Sequence, residues 1–247
     1  VLFSFNSASA QMKIAIIDTG FCPEKIKLAN KQIKIAPVQD FTNSVKLDCQ
    51  SVKFDKSTPR FHGQLVLEEF INYYHHQNLS LELYPLIVFN SRGDQKSEYW
   101  VKAIEWVKNN KIDLVVSAAG LILSKANKLP ARVLPAVWFI PSGRTTPQIN
   151  KDSKLFPQNL APQNNLFVIG DFYDGQQVLY DQGLLYQDKI DYYFPSGSNA
   201  FSGTSRAVAE ASARAITLCP LASLRECLKK KSKEYIDNLS RRTIKTF

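Results

Sequence analysis

The sequence predicts an α/β fold, with a mostly parallel central sheet and helices on both faces. Three observations predict it. Short apolar runs of strand length alternate with longer segments of helical periodicity. The runs are nearly free of polar residues, as strands buried on both faces are. Two of them, ending at Asp18-Thr19-Gly20 and at Asn90-Ser91-Arg92-Gly93-Asp94, stop at polar turns, and such folds bind ligands at the carboxyl ends of their strands.

In chain order, Met12 to Ile17 is an Ile-rich run that reads as a buried strand closed by Asp18. From His62 to Tyr74 the apolar positions Leu65, Leu67, Phe70, Ile71 and Tyr74 recur at helical spacing, so His62 opens a helix. Leu83 to Phe89 is a second strand, and Glu98 to Lys108 an amphipathic helix carrying Trp100, Val101, Ile104 and Val107. Leu114 to Val116, Val133 to Ile140 and Leu166 to Gly170 are further strands. Pro147 to Asn165, polar and Pro-containing, reads as a surface loop. Ser205 to Leu218 carries Ala207, Ala209, Ala211, Ala213 and Ala215, a helix of small side chains that can pack closely on its neighbours.

The 247 residues are 45% hydrophobic, which suits one domain, residues 11–247, able to bury about three quarters of its unfolded surface. Residues 1–10 differ in character: Ala8-Ser9-Ala10 before Gln11 fits a signal-peptidase site, so this segment is read as a signal-peptide remnant or tail and the chain as exported. The net charge of +9 is scattered, apart from Lys229-Lys230-Lys231 and Arg241-Arg242. It reads as a solvated basic surface rather than a nucleic-acid site. No run approaches the roughly 18 apolar residues of a membrane span. The four cysteines permit three pairings, of which Cys22 with Cys49 and Cys219 with Cys227 is the least strained. None has metal-ligand spacing with a histidine, so no metal site is expected.

Three segments carry chemistry: Asp18-Thr19-Gly20, His62-Gly63 and Ser202-Gly203-Thr204-Ser205. A Ser hydroxyl is a poor nucleophile near neutral pH and needs a base within hydrogen-bond reach, itself oriented by a third group. Alone, each segment reads as an ordinary turn or cap. Together, with Asp18 on a strand end and His62 and Ser205 opening helices, they describe a nucleophile, its base and the carboxylate that steadies the base. The adjacent His75 and His76 read as a solvated helix end.

On these motifs, in the chain order Asp, His, Ser, the sequence resembles the subtilisin-like serine peptidases. Ala103-Ile104-Glu105-Trp106-Val107, Asn109-Asn110, Asp113-Leu114-Val115-Val116 and Phe194-Pro195-Ser196-Gly197 extend the likeness over residues 12 to about 220. The resemblance implies a subtilisin-like three-layer fold and a monomeric endopeptidase with Asp18, His62 and Ser205 as catalytic triad. It implies that Ala118, Ala119 and Gly120 pair through their backbone with an extended polypeptide substrate. No cofactor is expected: Asp171-Phe172-Tyr173-Asp174-Gly175 has two carboxylates and a glycine, short of the ligand count of a dedicated calcium loop.

The pattern breaks in two places. The family's oxyanion Asn falls on Arg144, in Phe139-Ile140-Pro141-Ser142-Gly143-Arg144. An Arg can fold back to hold an oxyanion, point into solvent, or receive an acidic substrate group. After Ser205, Arg206-Ala207-Val208-Ala209-Glu210 replaces the family's Met-Ala-x-Pro-His, with Arg206 and Glu210 spaced to pair across one helical turn. The alternative to an endopeptidase is therefore a catalytically impaired pseudo-peptidase that binds peptides.

Overall fold

The computed structural model describes residues 11–43, 48–50, 59–76, 78–90, 93–146, 149–173, 178–179, 184–197, 201–236 and 243–247. The elements in chain order are β1 (Gln11–Asp18), β2 (Ile33–Ile35), β3 (Gln39–Asp40), α1 (His62–Tyr73), β4 (Ser80–Ile87), α2 (Ser97–Asn109), β5 (Leu114–Ser117), β6 (Leu121–Ile122), β7 (Val137–Pro141), β8 (Leu155–Phe156) and β9 (Leu166–Tyr173). They continue with β10 (Val178–Leu179), β11 (Tyr192–Pro195), α3 (Thr204–Leu218), α4 (Leu224–Lys231), β12 (Lys233–Ile236) and β13 (Thr243–Thr246).

The main sheet runs β10-β9-β7-β5-β1-β4-β2, with β11 also on β9 and β3 also on β4. Every pairing in it is parallel except β9 with β10. From β1 the chain first builds β2, β3 and β4 on one side, then returns to lay β5, β7, β9 and β11 on the other. The order thus reverses at β1, and a reversal of this kind opens a crevice at the carboxyl ends of the flanking strands.

Alternation along β1 sorts the core into two layers. Ile14 and Ile16 join Val66, Leu67 and Phe70 of α1 and the alanines of α3. Ala15 and Ile17 join Trp100, Ala103, Ile104 and Val107 of α2 on the opposite face. Asp18 continues the even series, so its carboxylate turns towards α1 and α3. Helix α3 is buried almost all round, from Ala207 through Ile216 with only Arg214 exposed. Small side chains let that helix pack on α1 and on β7, β9 and β11 at once.

Strand β7 begins at Val137, four residues later than the apolar run suggests, because Pro135 lacks an N–H, Ala136 has φ 65° and Val133 is 76% exposed. The stretch read as a surface loop departs more: Leu155 and Phe156 pair with β6, and both are buried along with Gln158. A two-residue apolar patch before a Pro carries too little periodicity to announce a strand. The disulfides join Cys22 to Cys49 and Cys219 to Cys227, the pairing that chain proximity favours. Lys229, Lys230 and Lys231 are exposed in the last turn of α4, where the helix dipole favours cations. No helix among the described residues is long and apolar enough to cross a membrane. Val1 to Ala10, Ser91, Arg92, Pro147, Asp174, Gly175, Arg241 and Arg242 lie outside the described residues.

Candidate active site

The turn after β1 is stitched to the start of α1. The Gly63 N–H donates to Thr19 Oγ1 at 3.2 Å and the Gln64 N–H to the Gly20 carbonyl at 3.2 Å, which satisfies two donors that the first turn of any helix leaves without a partner in the helix. The Gly20 N–H donates to the Arg60 carbonyl at 2.7 Å. Buried Gln64 accepts from the Cys22 N–H at 2.9 Å. These bonds set the first residue of α1, His62, directly opposite the last residue of β1, Asp18. Gly63 is required by close approach: a Cβ there would lie 2.6 Å from the Phe21 ring and 3.0 Å from Asp18 Cβ.

Asp18 has no solvent exposure, and its carboxylate lies 2.8 and 2.9 Å from His62 Nδ1. A carboxylate only accepts, so Nδ1 carries the proton and Nε2 is left as the basic nitrogen. Oδ1 also accepts from the Thr19 N–H at 2.6 Å, which fixes the carboxylate plane. The imidazole is 31% exposed and meets Phe201 edge-on at 5.6 Å. Burial pulls the His62 pKa down, but the charge and hydrogen bond of Asp18 outweigh it and leave the pKa above its ordinary 6.5.

Ser205 is the second residue of α3. Its N-cap, Gly203, has φ 91°, a conformation that favours glycine, and the Gly203 N–H donates to the Ser196 carbonyl at 2.7 Å. The hydroxyl therefore sits in a first helical turn, whose N–H groups and dipole favour negative charge. Its Oγ donates to the Ala118 carbonyl at 3.2 Å. Of the hydrogen bonds expected between the three residues, Asp18 to His62 is formed and Ser205 to His62 is not; catalytic bonds of this kind commonly tighten only with substrate bound.

Ala118, Ala119 and Gly120 run between β5 and β6, with Ala119 and Gly120 partly exposed. The contact of Ser205 with Ala118 brings this segment beside the hydroxyl. A Cβ on Gly120 would lie 3.0 Å from the side-chain oxygen of Gln158, whose amide nitrogen donates to the Pro141 carbonyl at 3.1 Å. Gln158 is thus bonded to the end of β7 and lies against Gly120, with its side-chain oxygen buried and without a hydrogen-bond partner among the described residues.

Arg144 follows β7 and the turn at Gly143, where φ is 81°. Its Nη2 donates to both oxygens of Asp171, at 2.6 and 2.5 Å. Asp171 lies on β9 with no exposure, while the Arg144 side chain is 28% exposed. Burial raises the Asp171 pKa, and the hydrogen bond and charge of Arg144 only partly counter it. The sequence offers Asp171 as half of a weak cation loop and gives no sign of this pair, because the partners are separated by 27 residues and meet only through strand pairing. Among the described residues, Cys22, Glu24 and Cys49 group their ligand atoms closely enough for a metal. The disulfide consumes both thiols, which leaves one carboxylate.

Comparison with models of known protein families found no match, and comparison with curated proteins found none either.

Proposed function

We propose that this chain is a serine endopeptidase of the subtilisin type. The observation that carries the reading is the pairing of buried Asp18 with the partly exposed His62 at the sheet's reversal point, with Ser205 opening a helix over the same edge. In the proposed reaction His62 Nε2 takes the Ser205 proton as Oγ attacks a peptide carbonyl, and Asp18 stabilises the imidazolium. The imidazolium then protonates the leaving amine, leaving an acyl group on Oγ that water removes by the reverse steps. The Ser205 N–H supplies one oxyanion donor, and Ala118, Ala119 and Gly120 hold the substrate as an added strand. Two disulfides support an oxidising compartment, and with it export.

A fluorophosphonate probe tests the nucleophile. Labelling of wild type that disappears in Ser205→Ala is the expected result; folded wild-type protein that stays unlabelled overturns the reading.

A second reading, a peptide-binding pseudo-peptidase, is favoured by one observation: Arg144 stands where the oxyanion Asn is expected, and its Nη2 is engaged by Asp171. Loss of that donor in enzymes of this kind costs about 10²–10³ in turnover. Peptide binding by wild type without hydrolysis supports the second reading; where wild type turns over, Arg144→Ala assigns the part of the guanidinium. A fall in kcat larger than the rise in KM assigns the guanidinium to the transition state, whereas a change confined to KM assigns it to binding.

A further inference from the structure

Arg206 follows the proposed nucleophile, and its side chain, 12% exposed, is surrounded by partners from three elements. Nε lies 2.7 Å from Glu69 Oε1 and Nη2 donates to the Tyr73 hydroxyl, both on α1. Nη1 donates to the Pro195 carbonyl at the end of β11 at 2.7 Å and lies 2.9 Å from Glu210 Oε2, one turn along α3. The guanidinium carbon is 5.3 Å from the centre of the Tyr73 ring. The turn at Gly197 is moulded on the stem: a Cβ there would fall 2.2 Å from Arg206 Cδ.

Two features of this placement do not serve the helix itself. A cation in the first turn of α3 opposes the helix dipole. Buried ion clusters add little stability over apolar packing of equal volume, and in some proteins their use is to fix geometry. The geometry fixed here is specific. His62, Glu69 and Tyr73 stand seven and eleven residues apart on α1, two and three turns, and so share one face of that helix. Arg206 grips that face two and three turns beyond His62, from the residue adjoining Ser205.

We propose that Arg206 is a positioning residue that sets α3 against α1 so that Ser205 faces His62. It acts through the two helices and touches no reacting atom. The inference rests on the hydrolase reading above, and it names the chain's own departure after the nucleophile as the device that replaces the usual packing there.

The test compares Arg206→Met, which keeps the stem and removes the fork, with Arg206→Lys and with a control, Arg214→Met. Arg214 lies 2.6 Å from Glu210 Oε1 and stacks on the same Tyr73 ring, but is 45% exposed and two turns further along α3. Fluorophosphonate labelling rates are measured against pH, beside urea midpoints. Arg206→Met is expected to label at least about tenfold more slowly, with the midpoint of its pH profile unchanged because Asp18 and His62 are untouched. Arg206→Lys falls between, and Arg214→Met labels at the wild-type rate although its urea midpoint falls. Folded Arg206→Met labelling at the wild-type rate overturns the proposal, as does equal slowing by Arg214→Met. Failure of wild type to label sinks the hydrolase reading alone, and a second measurement then decides the positioning role. Arg206→Met should shift the ¹⁵N resonances of the His62 ring and Arg214→Met should leave them in place; unshifted His62 resonances in Arg206→Met, or equal shifts in both variants, overturn it.

Discussion

Two aspartates lie near the carboxyl ends of parallel strands on the same sheet, Asp18 on β1 and Asp171 on β9, both fully buried and each with both oxygens close to one nitrogen. Their partners differ. Asp18 meets an imidazole that can take up or release a proton, and the pair leaves the His62 pKa raised. Asp171 meets a guanidinium that keeps its charge throughout the accessible pH range, and burial still leaves the carboxyl harder to ionise than usual. Burial and a cation are common to both. What makes the first pair able to move protons is the titratable partner, whose free nitrogen faces a partly exposed edge.

The widest separation between the two is expected from neutralising each. Asp18→Asn should cut fluorophosphonate labelling by about 10⁴-fold, since an amide supports the wrong imidazole tautomer. Asp171→Asn should keep most of the wild-type rate; comparable losses at both positions would erase the distinction. Stability reverses the order of importance. Asp171→Ala takes a fully buried carboxylate from beside the partly exposed Arg144 and should cost about 1–3 kcal/mol in urea unfolding. The double replacement Arg144→Met with Asp171→Leu should recover most of that loss, and a double variant no better than Asp171→Ala would show that the pair does more than cancel its own charges.

Protonation gives a smaller effect. The raised His62 pKa places the midpoint of the labelling profile above 6.5, and Asp18→Asn should move it below. In folding, a raised pKa means the native state binds the proton more tightly. The His62 contribution is thus complete below about pH 6.5 and fades as pH rises through the raised native value. Asp171 follows the same sign lower down: its contribution is complete below about pH 3.8 and is lost as pH climbs through its own raised value. Least of all, the part of the stability slope in that acidic window should vanish in Asp171→Asn, with Glu210, also raised by burial, supplying what remains. Urea midpoints measured from pH 3 upward would check both windows.

The same contrast marks what could be read from the chain. Asp18, His62 and Ser205 were legible because each sits at a junction written locally: an apolar run that stops, or a helical period that starts beside a glycine. Helices α1, α2 and α3 begin and end within about one residue of their periodic segments for the same reason. Asp171 and Arg144 were not legible as a pair, since neither has a local pattern and only the β7–β9 pairing brings them close. The Arg206–Glu210 pair follows from spacing, but Glu69 and Tyr73 reach Arg206 only because α3 packs on α1. Strands β2 and β3, three and two residues long, carry too few alternations to signal themselves, and β8 hid among polar and Pro residues.

All three tryptophans of the chain belong to the layer under α2: Trp100 and Trp138 are wholly enclosed, and Trp106 lies against Tyr84 at 5.2 Å. The layer that holds α1 and α3 has none. Intrinsic emission of this protein is therefore a one-sided optical gauge, bright for the half of the core that carries no proposed chemistry and blind to the half that does. Melting followed by emission and melting followed by the His62 ring proton will superimpose only if both halves come apart as one unit.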